Sequence, residues 1–340
     1  MRSLVTGATG FIGSNVARAL IERGDDVRVI VRADADRRNL VGLPVEIAVG
    51  DVRDARSLDR AVPGCRRVFH VAALYSFWAP EPLLVEINVE GTRNVLAAAE
   101  RARVETIVHT SSVAALGTLP DGAAADETTP VDSGHIIGAY KRSKYHAEQV
   151  ALEAAGRGQR VVVVNPSFPV GPGDVKPTPT GRVVVDFLNG RMPAYVDTGM
   201  NVVDVRDVAA GHALAAEKGC SGERYILGGE NLTMREFLEQ LAAASGRRAP
   251  RVRVPYAPIA ALAGVNEWLC RVGGREPRLT RDTVRMSRHA MFYSPAKAIR
   301  DLGLPQTAVS TALADAVAWF IANGYVRGSH GSTPRRTSPE

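Results

Sequence analysis

The first half of the chain alternates short, continuously apolar runs with longer runs in which apolar residues recur every three or four positions. The apolar runs predict β-strands at Arg2–Thr6, Val27–Val31, Val45–Val49, Arg67–Val71, Thr106–Thr110 and Arg160–Asn165. The runs with helical spacing predict helices at Phe11–Arg23, Ser57–Ala61, Leu83–Ala102 and Ala139–Ala155. Because strands and helices take turns, we expect one parallel sheet covered by helices on both faces.

The pattern changes after Asn165. The segment NPSFPVGPGDVKPTPTG is so rich in Pro and Gly that we expect a loop rather than a helix or strand. Further elements are predicted at Arg182–Asn189 (helix), Ala194–Val196 and Asn201–Val203 (strands), Val208–Lys218 (helix) and Arg224–Leu227 (strand), before a mainly helical end. The fold class is therefore α/β: a doubly wound parallel Rossmann sheet over 1–165, a mixed region over 166–326 that extends the sheet and adds a smaller, mainly helical lobe, and a disordered tail over 327–340.

Charge and cysteine content restrict the partners and the compartment. The formal charge is +6, with arginines spread along the chain and no basic stripe interleaved with aromatic residues, so we expect no nucleic-acid partner. An anionic small molecule, such as a phosphorylated cofactor, suits the positive charge better. The three cysteines, Cys65, Cys220 and Cys270, have no metal-ligand spacing, so we expect reduced thiols in a cytoplasmic protein without a bound metal.

No segment reaches the roughly 18 uncharged apolar residues that a membrane-spanning helix requires, so no membrane span is expected. No signal-peptide pattern is present at the amino terminus either. The most apolar helix candidate is Pro258–Cys270, interrupted by Asn266 and Glu267. We expect it to pack in the core or the lobe, and a position on a membrane surface is the alternative.

A glycine-rich turn follows the first predicted strand. Gly7, Gly10 and Gly13 lie in TGATGFIG, where a strand ends and an amphipathic helix begins. Glycines at this spacing let backbone amides and the helix N-terminus approach a pyrophosphate. The residues between them, Thr9, Phe11 and Ile12, are then expected along the phosphates.

The end of the second strand bears on the choice of nicotinamide cofactor. A carboxylate there binds a ribose 2′-hydroxyl, whereas an arginine accommodates a 2′-phosphate. This chain has Arg32, followed by Arg37 and Arg38, so NADP is favoured and NAD is the alternative. Arg37 and Arg38 could equally solvate a short helix. Asp51 and Val52, after the third strand, are expected to contact the adenine.

The fourth strand ends in His70-Val-Ala72-Ala73, whose small residues allow the cofactor to pass closely. His70 lies in an apolar strand and is interpreted as a buried core histidine rather than a catalytic residue. Asn88 is expected to bond backbone and brace the neighbouring strand.

A serine pair and a Tyr/Lys pair carry the candidate chemistry. Tyr140 and Lys144 share a face of a predicted helix, so the ammonium can lower the pKa of the phenol toward neutrality. Ser111 and Ser112 end the fifth strand, at the sheet edge where ligands bind in such folds. We expect Ser112 to hold a substrate oxygen while Tyr140 exchanges its proton, with Ser111 in support.

Seven motifs, TGATGFIG, GDVRD, HVAA, NVEGT, TSS, YKRSK and NPSFPVGPGD, occur in an order that resembles the extended short-chain dehydrogenases/reductases. The resemblance extends to about Val326. It implies that Ser112, Tyr140 and Lys144 are catalytic and that 1–165 binds NADP. The cofactor-lining positions it implies are Gly7, Gly10, Gly13, Arg32, Asp51, Val52, Ala72, Ala73, Lys144 and Pro166, with Ser111, Tyr140 and Ser167 beside them. It also implies a homodimer formed by the helices Leu83–Ala102 and Ala139–Ala155.

Within this family the chain looks most like bacterial hopanoid-associated sugar epimerases, which are related to dihydroflavonol 4-reductases. Leu116 precedes Gly117 where sugar epimerases usually have a tyrosine, which fits the reductase branch. Epimerisation of a sugar-like alcohol and net reduction of a ketone or aldehyde therefore both stay open. A dinucleotide sensor without turnover is a third class, and the presence of both Tyr140 and Lys144 favours an enzyme.

The substrate residues are expected in the variable loops. Aromatic residues there indicate an apolar or ring-bearing small molecule, and two basic residues could hold a phosphate. The candidates are Tyr75, Phe77, Trp78, Ser112, Ser167, Phe168, Lys176 and Arg182.

Overall fold

Seven parallel strands form the central sheet of the chain, whose computed structural model describes residues 1–132, 136–272, 280–288 and 290–327. The strand order is β3-β2-β1-β4-β5-β6-β10, so the chain runs outward from β1 to one edge and then returns to build the other. The strands are β1 (Arg2–Thr6), β2 (Asp26–Val31), β3 (Val45–Val49), β4 (Arg67–His70), β5 (Thr106–Thr110), β6 (Val161–Pro166) and β10 (Arg224–Leu227). The predicted doubly wound Rossmann sheet is confirmed.

Helices cover both faces of this sheet, and each layer has its own apolar core. On one face lie α1 (Phe11–Glu22), α7 (Val205–Lys218) and α11 (Ala296–Leu302). On the other face lie α2 (Ala55–Ala61), α4 (Gly91–Arg101) and α5 (Ala139–Gly156). The strands between them are buried on both sides, which is why they form continuous apolar runs in the sequence.

The helix predicted over Leu83–Ala102 is not uniform. It begins as α3 (Glu81–Leu84), widens into a π-helical turn at Val85–Glu90 and continues as α4. Asn88 lies in the wide turn and is 1% exposed. Such π turns often occur at functional sites.

The smaller lobe contains a three-stranded sheet in the order β11-β9-β7. Its elements are β7 (Phe168–Val170), α6 (Pro179–Leu188), β8 (Ala194–Tyr195), β9 (Gly199–Asp204), β11 (Glu230–Thr233), α8 (Met234–Ser245), β12 (Val252–Arg253) and α12 (Val309–Ala322), with β8 paired to β12. The expectation that the Pro/Gly-rich segment after Asn165 has no strand or helix is wrong at β7 and at the start of α6. Pro169 is tolerated because β7 lies at the edge of its sheet, and Pro179 begins a helix where its missing N–H costs nothing.

Two more helices, α9 (Tyr256–Val272) and α10 (Arg281–Met286), pack against each other. Among the described residues, no helix has the length and apolar character needed to cross a bilayer. The tail predicted to be disordered falls, from residue 328 onward, outside the described residues.

Candidate active site

The glycine turn between β1 and α1 is closed tightly on itself and on the end of β4. Gly7 has φ +72°, and a Cβ there would lie 2.7 Å from the Ala72 backbone. A Cβ on Gly13 would overlap the carbonyl oxygen of Gly7. A Cβ on Gly10 would meet only that same oxygen, at 3.3 Å, so the space in front of α1 is left open. No side chain caps α1, so its first amide groups are available to a pyrophosphate, and the turn fits a dinucleotide.

Asn39, which the sequence analysis missed, connects this turn to the smaller lobe. Its side-chain amide donates to the carbonyl oxygens of Thr9, at 3.2 Å, and Gly173, at 3.0 Å. Phe11 is buried and Ile12 half-buried at the start of α1. The phosphate turn is thereby held against the loop that follows β7.

The three arginines after β2 differ in how closely they pair with a carboxylate. Arg32 follows the last residue of β2 with its side chain 58% exposed, and its nearest acidic partner is Asp34 at 3.4 Å. Arg38 forms an ion pair with Asp36 at 2.6 Å. Arg37 is exposed. Arg32 therefore occupies the strand-end position that reads the adenosine ribose, while Arg38 is already paired with a carboxylate.

Asp51 and Val52 follow β3, the strand next to β2 in the sheet. The Asp51 carboxylate accepts from the Arg53 guanidinium at 2.8 Å, and this hydrogen bond holds the pKa of Asp51 below its ordinary value. Val52 is buried against Gly91, where a Cβ would lie 2.9 Å from its methyl group. An ionised Asp51 can accept from an adenine amino group.

Tyr140 lies in an aromatic cleft at the start of α5. Its ring centroid is 4.7 Å from that of Tyr75 and 5.5 Å from that of Phe77. Ser112, at the end of β5, has its hydroxyl beside the Tyr140 phenol and also caps a short turn by accepting from Ala114 N–H at 3.1 Å. The structure thus brings Ser112 and Tyr140 together.

The pKa of Tyr140 moves opposite to the direction expected from the sequence. Burial raises the pKa of Tyr140 well above its ordinary value, and Tyr75 adds to this, while the Ser112 hydroxyl lowers it in part. The expected partner, Lys144, directs its ammonium elsewhere and donates to the Thr110 carbonyl at 2.7 Å. Tyr140 is therefore a protonated phenol at neutral pH.

Lys144 is 3% exposed. Burial lowers its pKa from 10.5 to about 8, and the Glu148 carboxylate opposes this change. Glu148 lies one helical turn further along the same face of α5. The three residues Tyr140, Lys144 and Glu148 therefore follow each other along one buried side of the helix.

Glu148, also missed by the sequence analysis, is fully buried in a polar network. It accepts from the Asn165 amide at 2.6 Å and faces the Arg224 guanidinium at 3.4 Å. Asn165 also donates to the Ser112 carbonyl at 3.1 Å. Burial raises the pKa of Glu148, and the neighbouring Ser111 hydroxyl and Asn165 amide offset this in part. Glu148 is thereby connected to both Lys144 and the strand that carries Ser112.

The histidines beneath this site are buried and neutral. His70 bonds Thr6 at 2.9 Å and Thr92 at 3.0 Å, as expected of a core histidine, and burial lowers its pKa to about 3. His109 lies 5.5 Å from His70, ring to ring, and burial lowers its pKa well below the ordinary value. Neither ring is poised to exchange protons near neutral pH.

Asn88 braces a loop rather than the neighbouring strand. Its amide accepts from Leu74 N–H at 2.7 Å, and donates to the Leu74 carbonyl at 3.2 Å and to Ser143 Oγ at 2.9 Å. The loop after β4, which contains Ala72, Ala73 and Tyr75, is thereby fixed to the helix of Tyr140. The expectation of backbone bonding is right, and the element that is braced is different.

At the far side of the cleft, Tyr75 meets two residues that the sequence analysis did not select. Tyr75 is 39% exposed, yet its phenol lies beside Thr180 and the Asp174 carboxylate, as expected for the wall of a cleft. Asp174 is 2% exposed and accepts from Thr178 N–H at 2.9 Å. Burial raises the pKa of Asp174 to about 6. Asp174 is the last residue of the motif NPSFPVGPGD, so this motif was the feature of the sequence that could have identified it.

The remaining substrate candidates are dispersed. Phe168 packs edge-on to Phe237 at 6.1 Å and belongs to the core of the lobe. Lys176 and Arg182 are exposed. The positive charge of Arg182 offsets a part of the rise in the pKa of Asp174 that burial causes. Trp78 is half-buried in the loop after β4. Pro166 ends β6, and Ser167 N–H donates to the Leu227 carbonyl at 3.2 Å.

The chain is similar to known proteins over most of its length. Residues 3–228 match the family described as NAD dependent epimerase/dehydratase. A Synechocystis protein named a candidate dihydroflavonol 4-reductase is 49% identical over 328 residues, 95% of each chain. Sterol demethylase protein B of Methylococcus capsulatus is 39% identical and is matched over 96% of this chain and 100% of its own length. The crystal structure of gox2253 is 49% identical, with a TM-score of 0.86 over 96% of this chain and 99% of that one.

Proposed function

The chain belongs to the NAD dependent epimerase/dehydratase family of extended short-chain dehydrogenases/reductases, and from this we propose that it reduces the carbonyl of an apolar small molecule, with Tyr140 as proton donor. The observation that carries the proposal is the Tyr140 phenol beside Ser112 in a cleft walled by Tyr75 and Phe77. A nicotinamide cofactor supplies the hydride in such chemistry.

Each residue has a distinct role in the proposed reaction. Ser112 holds the substrate oxygen within reach of the Tyr140 hydroxyl. The raised pKa of Tyr140 keeps its proton in place until negative charge develops on that oxygen, which suits reduction of a carbonyl. Lys144 would hold the cofactor ribose through its ammonium, and its bond to the Thr110 carbonyl fixes that ammonium at the end of β5.

The cofactor is proposed to be NADP. Gly7, Gly10 and Gly13 would hold the pyrophosphate, and Asp51 with Val52 would face the adenine. Arg32 supports a 2′-phosphate because its guanidinium is exposed at the end of β2 and only weakly paired.

The aromatic walls support an apolar, ring-bearing ketone or aldehyde as the substrate. The similarity to a candidate dihydroflavonol 4-reductase and to sterol demethylase protein B supports the same class. Epimerisation of a sugar-like alcohol, as in the hopanoid-associated sugar epimerases, is the second candidate. It is favoured by the polar end of the cleft, where Asp174 and Thr180 could bond hydroxyl groups.

The test measures NADPH oxidation with a panel of cyclic and aromatic ketones and aldehydes. Nucleotide-linked hexoses are incubated in parallel with NAD and analysed for epimers. We expect stoichiometric NADPH consumption with an apolar ketone, and consumption slower by about 10²–10⁴-fold with Tyr140→Phe. Epimer formation without net cofactor consumption would instead establish the second candidate, and inertness toward both panels would contradict the proposal.

We further propose a cytoplasmic homodimer. Cys65, Cys220 and Cys270 are all free thiols, which supports a reducing compartment. The outer surfaces of α4 and α5 are the proposed dimer contact, as the family resemblance implies.

A further inference from the structure

Helix α9 turns an apolar face to the outside. Among the side chains of this helix that the structure describes, the exposed ones are Ala257, Pro258, Ala261, Leu262 and Val265, which follow one another around one side of the helix. The side chains of Leu262 and Val265 are 62% and 56% exposed. A surface helix of a globular protein normally has polar residues at such positions.

The inner face of α9 combines small apolar residues with polar contacts. Ala263 is fully buried, and Gly264 lies against the Arg281 guanidinium, 2.8 Å from where a Cβ would be. Glu267 accepts from Arg281 N–H at 2.6 Å, and the Arg288 guanidinium lies 3.9 Å from the centre of the Tyr256 ring. The helix is therefore held against α10 by polar and charged contacts, with its apolar side outward.

The stretch of sequence that contains α9 is strongly basic. Residues 247–288 contain ten arginines and three acidic residues, a net charge of +7, whereas the whole chain carries +6. A groove beside this segment is lined by Arg235, Arg248 and Arg251, together with Tyr195 and Glu239.

We propose that α9 lays its apolar face on an anionic bilayer surface. An outward apolar stripe on a helix that lies in a basic stretch of the chain suits the plane of an anionic membrane interface. The apolar side chains would enter the boundary of the acyl chains, and the arginines would contact headgroup phosphates. This mode needs no membrane-spanning segment.

A second copy of the chain is a poorer occupant of the same face. A two-fold interface places each patch on its own copy, so the basic segment would oppose itself across the contact. An anionic surface satisfies both the apolar stripe and the surrounding charge.

On its opposite face α9 packs against α10, and a Cβ on Gly138, which precedes α5, would lie 3.2 Å from the Asp282 carboxylate of α10. Helix α10 therefore lies between the docking face and the start of α5. The docking proposal is independent of the reaction proposed for the site.

The experiment sediments the full chain with vesicles of phosphatidylcholine alone and of phosphatidylcholine mixed with phosphatidylglycerol. We expect binding to the anionic vesicles that weakens with salt. Leu262→Asp/Val265→Asp should reduce that binding at least about tenfold, because two charges would have to enter the apolar boundary. The matched control is Val41→Asp, which places a charge at an apolar residue 76% exposed elsewhere on the chain.

A second variant separates the charge from the apolar face. Arg248→Glu/Arg251→Glu should weaken binding to the anionic vesicles and flatten its salt dependence. Far-UV circular dichroism and thermal melting establish that each variant is folded. Absence of vesicle binding by the wild type, or equal binding by the Leu262/Val265 variant, would overturn the proposal. Conversion of a wild-type dimer to monomer by that variant, without vesicle binding, would assign the face to self-association.

Discussion

The ammonium of Lys144 donates a 2.7 Å hydrogen bond to the carbonyl oxygen of Thr110, the last residue of β5. This bond joins the Tyr140 helix to the strand that continues into Ser111 and Ser112. The contact is local in space and 34 residues apart in sequence. It explains how two separate motifs become one site.

Loss of the Tyr140 hydroxyl should abolish the proposed proton transfer. Tyr140→Phe keeps the ring packed against Tyr75 and should lower kcat by about 10²–10⁴-fold. Cofactor affinity, measured by calorimetry, should be nearly unchanged. Tyr145→Phe, on the same helix, is the matched control and should retain activity. Full activity of Tyr140→Phe on a substrate of the wild type would place the proton donor elsewhere.

Ser112→Ala should also reduce kcat, because the substrate oxygen would lose its positioning hydroxyl. Binding of the cofactor should not change. Steady-state kinetics on the same substrate measure the effect. Unchanged kinetics would remove Ser112 from the proposed site.

Arg32 should determine cofactor preference. The wild type should bind NADPH more tightly than NADH. Arg32→Asp should erase or reverse the difference, a loss of about 1–3 kcal/mol for a charge-assisted contact to the 2′-phosphate. Arg38→Asp is the control, because Arg38 is paired with Asp36 and should matter less. Calorimetry that finds equal affinities for the two cofactors in the wild type would contradict the assignment.

The pH above which activity is lost should be set by the pKa of Lys144. Its pKa of about 8 lies below the ordinary 10.5, so the ammonium is lost, and activity should fall, as pH rises through about 8. Glu148→Gln removes the carboxylate that raises the pKa of Lys144, so this limit should move to lower pH. The measurement is kcat/KM from about pH 6 to about pH 10, a range centred on the lowered pKa of Lys144. Glu153→Gln, on the exposed part of α5, should leave the limit in place, and an identical profile for Glu148→Gln would separate Glu148 from Lys144.

Asp174 should make stability depend on pH in the acidic range. Its pKa in the folded chain is about 6, above the ordinary 3.8, so between these values the folded state binds more protons than the unfolded state. The stability of the wild type relative to Asp174→Asn should therefore fall as pH rises from about 4 to 6, by about 2–3 kcal/mol, and stay level above that. Denaturant unfolding across this range measures it. Asp186→Asn, on α6, is the control, and a difference that does not vary with pH would contradict the raised pKa.

The proposed homodimer should be seen in solution. One chain has a mass of 36.3 kDa, and light scattering at micromolar concentration should give twice that mass. Gln149→Lys, on the partly exposed side of α5, should weaken the dimer by placing like charges across the two-fold axis. Detection of monomer alone for the wild type would redirect α4 and α5 to contacts within one chain.

The sequence by itself determined the features that depend on local spacing. Strands β1 to β6 follow from apolar runs that must be buried on both faces, and the turn at Gly7, Gly10 and Gly13 follows from a strand ending where a helix begins. The positions of Ser112 and Tyr140 at element ends could be predicted in the same way. Each of these depends on residues close together in the chain, where period and steric limits act directly.

Tertiary structure decided what depends on contacts between distant residues. Asp174 meets Tyr75 only because the loops after β4 and β7 come together, and Glu148 meets Asn165 only because α5 packs against β6. The same packing raises the pKa of Tyr140, since the cost of burying a phenolate depends on everything that surrounds it. An apolar stripe is visible in the sequence of α9, but whether it faces a core or the outside depends on which partner the fold supplies. Here α10 contacts the opposite face, and Leu262 and Val265 point outward.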